Sequence, residues 1–169
     1  MPEYDLADIL VHMNQTGRGV PALDTILSIL HDNLPQVLAH FEFPAIQTWD
    51  YAGVELDAAK IPAILVGSSI RTEQLGTHYG DDAHVLVTCA YMPQITRRQV
   101  QDSLDIVQCV RAVLSMPGVV GPRYDGDRVL WNWLLPAGFS MVPPDWPMYS
   151  GWIAEFTMRQ SPQSNLWES

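Results

Sequence analysis

The spacing of apolar residues divides this chain into segments with two different periods. Leu6, Ile9, Leu10 and Met13 recur at the spacing of one helix face, and the stripe breaks at Gly17-Arg18-Gly19, which reads as a hinge. Pro21 suits the first turn of a second helix, where Leu23, Ile26, Leu27, Leu30 and Leu34 repeat at three and four. Pro35 is expected to kink or restart that helix, with Val37, Leu38 and Phe41 continuing the stripe. Further on the period falls to two. Ile61 to Ile70 predicts a strand entered through a proline. From His84 to Met92, Val85, Val87, Cys89 and Tyr91 alternate with Leu86, Thr88 and Ala90; neither set is strongly polar, which predicts a central strand covered on both sides. The polar stretch from Thr72 to Asp82, with Gly76 and Gly80, is expected to be a loop, mobile in a free subunit and ordered by a neighbour.

The best-marked helix comes next. Thr96-Arg97-Arg98-Gln99 fits a capping box, in which the threonine hydroxyl accepts from the Gln99 amide and the glutamine side chain reaches back. Val100, Leu104, Val107, Val110 and Leu114 form its apolar stripe, with Leu104 and Val107 expected inside, opposite Gln101, Asp102, Asp105, Gln108 and Arg111. Met116-Pro117-Gly118 ends it. The Asp125-Gly126 pair predicts a hairpin turn feeding a strand from Arg128 to Leu135, and a last strand is expected over Met148 to Arg159. Pro143-Pro144-Asp145-Trp146-Pro147 between them reads as a stiff extended loop. The order helix, helix, strand, strand, helix, strand, strand predicts an α+β domain, with a mostly antiparallel sheet and helices on one face. A single domain is expected over residues 1–160, of which 1–20 form the N-terminal helix and hinge; 161–169 form a polar tail.

Composition agrees with one folded domain and narrows its partners. The chain has 169 residues, 47% of them hydrophobic and 17% charged, enough to bury one core. The net charge of −10 opposes binding to a phosphate backbone. No run approaches a membrane span, and Glu3, Asp5 and Asp8 occupy the place of a signal peptide's basic region, so folding in a cytoplasm is expected. Cys89 and Cys109 fall in apolar segments and read as small buried hydrophobes.

Chemistry-bearing patterns come back empty, and no enzyme, metal or cofactor is expected. Ser68 and Ser69 follow Gly67 without forming a nucleophile elbow. The five histidines lack metal-binding helical spacing, and His78, Asp81, Asp82 and His84 supply part of a ligand set at most. Gly17-Arg18-Gly19 has no phosphate-loop ending. Asp125-Gly126-Asp127 lacks the twelve-residue calcium pattern. Aromatics say more: Trp131, Trp133 and Trp152 are expected in the core, whereas Trp146 and Trp167 lie in loop and tail and are candidate protein anchors. Arg71, Glu73 and His78, in and beside the polar stretch, complete the candidate interface.

The element order, together with Tyr51-Ala52-Gly53-Val54-Glu55-Leu56-Asp57 and Ile61-Pro62-Ala63-Ile64-Leu65-Val66, resembles the tail-terminator proteins of tailed bacteriophages, especially those of Mu-like contractile tails. The similar stretch runs from the helix around Leu23 to about Leu114; the tryptophan- and proline-rich C-terminal part has no counterpart. The resemblance implies a virion protein, assembled in the host cytoplasm into a homo-oligomeric ring, commonly a hexamer, at the head-proximal end of the tail tube. Its implied partners are the tail tube protein and the head connector or stopper, with DNA passing through an acidic lumen without specific binding. Another neck or head-completion protein, or a small-molecule-binding or enzymatic α+β domain, are the alternatives.

Overall fold

The capping box forms as expected and starts the helix that organises the domain. In the computed structural model Thr96 Oγ1 accepts from Gln99 N–H at 3.2 Å and Gln99 Oε1 accepts from Thr96 N–H at 3.0 Å. The structure describes residues 5–10, 19–75, 78–126 and 128–160, without the side chains of 19–20, 69–75, 78–82 and 128. Residues 6–10 are helical (α1), and α2 runs over Gly19–His40. Strands β1 (Thr48–Tyr51), β2 (Ala63–Leu75) and β3 (His78–Tyr91) follow, then α3 (Arg97–Leu114) and the single turn α4 (Pro117–Val120). The chain continues through β4 (Arg123–Asp125), β5 (Arg128–Trp131), β6 (Trp133–Met141) and β7 (Ser150–Gln160). Five strands make one sheet in the order β1-β2-β3-β7-β6; all neighbours are antiparallel except β1 and β2. The fold is therefore α+β with a mostly antiparallel sheet.

Helices α2 and α3 pack on one face of this sheet. Ile26, Leu30, Leu34 and Leu38 of α2 meet Ile106, Val107, Val110 and Leu114 of α3, over Ile64, Val66, Val85, Val87, Cys89, Ala154, Phe156 and Met158. Strand β3 is central and covered on both sides: Thr88 and Ala90 are buried on its other face, where Val142 and Tyr149 contribute to a second, smaller core. Trp131 is fully enclosed, its indole N–H donating to Val119 O at 3.0 Å, while Trp133 and Trp152 are half-buried. Both cysteines are free and buried. Among the described residues, no helix is long and apolar enough to cross a membrane.

Several expectations need correction. Pro35 does not divide α2, which passes through it, and Phe41 lies beyond the helix and is exposed. The helix already begins at Gly19, so the hinge expected at Gly17-Arg18-Gly19 does not include that residue; Gly17, Arg18 and Met13 lie outside the described residues. The buried face of α3 is turned toward Ser103, Ile106, Cys109 and Val113, leaving Leu104 half-buried at its margin. The expected strand over Arg128 to Leu135 is cut at Asn132, whose N–H donates to Arg159 O at 2.7 Å; β5 pairs back on β4 through a turn with Gly126 at φ 61°. The proline-rich loop is not extended: Trp146 N–H donates to Pro143 O at 3.0 Å, closing a turn with Pro144 in its second position.

The largest correction concerns Thr72 to Asp82. Its described residues, Thr72–Leu75 and His78–Asp82, continue the hairpin, with Arg71 opposite Asp82, Thr72 opposite Asp81, Glu73 opposite Gly80 and Leu75 opposite His78, while Gly76 and Thr77 lie outside the described residues. Polarity argued for a loop, but ladder pairing uses main-chain groups alone, and a register already fixed by buried residues extends outward for as long as both strands last. Among the described residues β7 reaches to Asp81 on β3, and beyond that point the hairpin is a two-stranded ribbon.

Candidate interaction surfaces

Sequence reasoning nominated Arg71, Glu73, His78, Trp146 and Trp167 as interface residues. The fold places Arg71 and Glu73 on β2 and His78 on β3, all in the extended hairpin, and Trp146 some distance along the chain in the turn after β6. Trp167 lies outside the described residues. Two separate features therefore carry the candidates: a ribbon and a groove.

The groove, of about 600 Å³, opens on the sheet face away from the helices and runs around the β2 edge as far as Leu23 of α2. Leu86, Thr88 and Ile153 form its floor, and Val142, Pro143, Trp146 and Tyr149 form one wall. It continues to the sheet edge at Gly67 and Ser68, where β1 has ended at Tyr51. Trp146 keeps 44% of its surface exposed, and its ring meets that of buried Tyr149 edge-on, with centroids 6.5 Å apart. An aromatic held by a turn and backed by a buried ring presents apolar area with little entropy left to lose on docking. Gly67 explains how the edge stays narrow: a Cβ there would stand 3.1 Å from Ala52 Cβ.

Tyr51, Gly67, Leu86, Thr88 and Ile153 were not singled out from sequence as surface-forming. Two signals were legible. A glycine inside a strand pattern marks close approach of another backbone, and the apolar second face of His84 to Met92 required a cover on that side. What the pattern lacked was the identity of the cover, which comes from residues 142–149.

Polar chemistry in and around these surfaces is sparse. His84 Nε2 and Glu155 Oε1 stand 3.9 Å apart at a partly exposed site. Among the described residues, no three metal-ligating side chains cluster; His78, Asp81 and Asp82 are placed by backbone alone, on β3 rather than in a loop. The perturbed titratable groups lie in the core between the helices and the sheet instead. Burial pushes the Cys89 thiol up to about 12, with a smaller opposing effect from its hydrogen bond to Ser103, and burial likewise raises the Tyr91 phenol and the Cys109 thiol. A raised thiol is a poor nucleophile at neutral pH, so these groups behave as core. The hydroxyl of Tyr91 and the indole N–H of Trp152 are enclosed and find no hydrogen-bond partner among the described residues.

Compared with known proteins, the chain matches no protein-family model and no curated sequence.

Proposed function

We propose that this chain is a structural subunit of a phage tail, a tail terminator. It assembles as a ring at the head-proximal end of the tail tube, stops tube growth and offers a surface to the head connector. It performs no catalysis. The observation that carries the reading is the groove with Trp146 at its wall: apolar, open, and lined without converging ionisable groups. The stretches that resemble terminator proteins support it as well, since Tyr51 closes β1 and Ile61 to Val66 lead into and open β2, the parallel pair beside that groove. Capping follows from surface complementarity. A head-to-tail contact that closes by rotation makes a ring, and a ring seated on the tube covers the surface that would accept the next tube subunit. A net charge of −10 on each subunit suits a channel through which DNA passes without adhering.

The test is co-assembly of the purified chain with tail tube protein. Rings at tube ends and tubes of arrested length are expected, and Trp146→Ala should weaken capping by about 2 kcal/mol or more while the melting temperature stays nearly unchanged. Tubes that grow regardless of the added chain would defeat the reading. The groove volume of about 600 Å³ also favours a second one, a small-molecule-binding domain, because it falls in the usual range of roughly 300–1,000 Å³ for ligand pockets. That reading expects a monomer or dimer whose Trp146 fluorescence responds to an apolar ligand.

A further inference from the structure

The outer edge of β2 carries an inference that does not rest on the ring. Gln47 N–H donates to Pro62 O at 2.9 Å and Ala52 N–H donates to Val66 O at 2.8 Å, so even-numbered residues of β2 turn their main-chain groups away from β3. The β2–β3 register runs without a shift from Ala63 to Leu75, and the alternation therefore continues through Ser68, Ile70, Thr72 and Gln74. Strand β1 ends opposite Val66. Beyond that point, among the described residues, nothing pairs with this edge. Two of the usual edge protections are missing: Gly67 to Leu75 contains no proline and no bulge, whereas β6 at the opposite margin has Pro136 and a register shift between Pro136 and Gly138; the third, charge, is present as one residue of each sign, Arg71 and Glu73.

We propose that β2 pairs with β2 of a second copy of this chain, antiparallel about a two-fold axis at Thr72. Antiparallel strands exchange hydrogen bonds only between residues whose main-chain groups both face the partner, which restricts the register to even opposite even. Three centres lie near the middle of the free segment. Centring on Arg71 sets Arg71 against Arg71, and centring on Glu73 sets Glu73 against Glu73. Centring on Thr72 sets Arg71 of each copy against Glu73 of the other, twice by symmetry, and makes Ile70 with Gln74 and Thr72 with Thr72 the hydrogen-bonded pairs. Opposite charges directly across a ladder stabilise it and like charges destabilise it, so charge selects the Thr72 register. The ends of the paired segment also fit: in this register Leu75, the last residue of β2, lies opposite Ser69, clear of each copy's own β1, which ends opposite Val66. The contact is isologous and differs from the rotational contact that closes a ring.

Sedimentation velocity of the full chain over a range of concentrations tests the pairing. A reversible dimer is expected, weakened about tenfold or more by Arg71→Glu and by Glu73→Arg, because each change replaces two attractive pairs with two repulsive ones. The double variant carrying both changes should recover the wild-type dissociation constant, since the swap restores both pairs. Thr72→Pro should keep the monomer's circular dichroism and melting temperature, because that N–H faces away from β3, and should abolish the dimer. A chain that is monomeric at every concentration, a double variant as weak as the single ones, or a dimer that survives Thr72→Pro would each overturn the pairing. A six-membered species indifferent to all three changes would support the ring while still overturning it.

Discussion

Ser103 shows how much a single hydroxyl inside a helix can hold. Its Oγ donates to Cys89 O at 2.8 Å and accepts from Trp152 N–H at 2.8 Å, and Cys89 and Trp152 are opposite residues of β3 and β7. The hydroxyl thus stands between two strands as part of their ladder. Helix α3 can come that close because Gly151 has no side chain: a Cβ there would collide with Cys89 O and stand 3.0 Å from Ser103 Oγ, and the residue sits at φ 142°. Gly151→Ala should therefore cost more than about 2 kcal/mol, from steric overlap added to backbone strain, whereas Ser103→Ala should cost about 1–3 kcal/mol for two buried groups left unpaired. Urea unfolding of both variants checks the ranking, and a Gly151→Ala chain as stable as the wild type would contradict it. Cys89 beside them sets a pH dependence. Its thiol titrates near 9 when unfolded and at about 12 when folded, so between those values the unfolded chain releases a proton that the folded chain retains. Stability should be unaffected by this group below pH 9 and fall above it by up to about 1.4 kcal/mol per pH unit, with Cys109 and Tyr91 adding in the same direction. Cys89→Ala should flatten that slope. None of this was legible in the sequence beyond the two cysteines being apolar, because Ser103 meets partners far away in the chain.

At the scale of elements, legibility followed the range of the interactions that fix each one. Helix α3 was readable to its N-cap because the signal lies within four residues, yet its rotation was off by part of a turn. The stripe through Val100, Leu104 and Val107 gave too little weight to Ile106 and Val113, which are buried against the sheet. Ile106→Ala should then cost about 2–5 kcal/mol and Leu104→Ala clearly less, since that side chain is only partly buried. Equal losses in chemical denaturation would return the helix to the expected register. Strand β1 went unread because four residues, Thr48–Tyr51, make no period of their own; they are a strand by virtue of parallel pairing with β2. The ribbon was misread for the opposite reason, since its polar sequence hides a ladder whose register is set elsewhere.

For the whole molecule, the class of fold followed from the order of periodic segments, and the candidate surfaces were half visible. Trp146 could be nominated from its place among prolines, but the groove beside it needs β2, β3 and β7 side by side, and chain order alone does not bring them together. Arg71 and Glu73 were nominated for lying at a supposed loop and proved to lie on a strand margin, which changes the kind of contact they can make from a flexible clasp to a defined register. The contrast between the two margins of the sheet has a consequence for how far association can proceed. Pro136 has no N–H to offer and the bulge beside it spoils the spacing, so strand addition at β6 is disfavoured. In the language of polymer chemistry the pairing proposed at β2 is self-terminating: an isologous contact consumes the same reactive edge on both units, and the product is finite. A sheet reactive at both margins would be bifunctional and would propagate into a fibre.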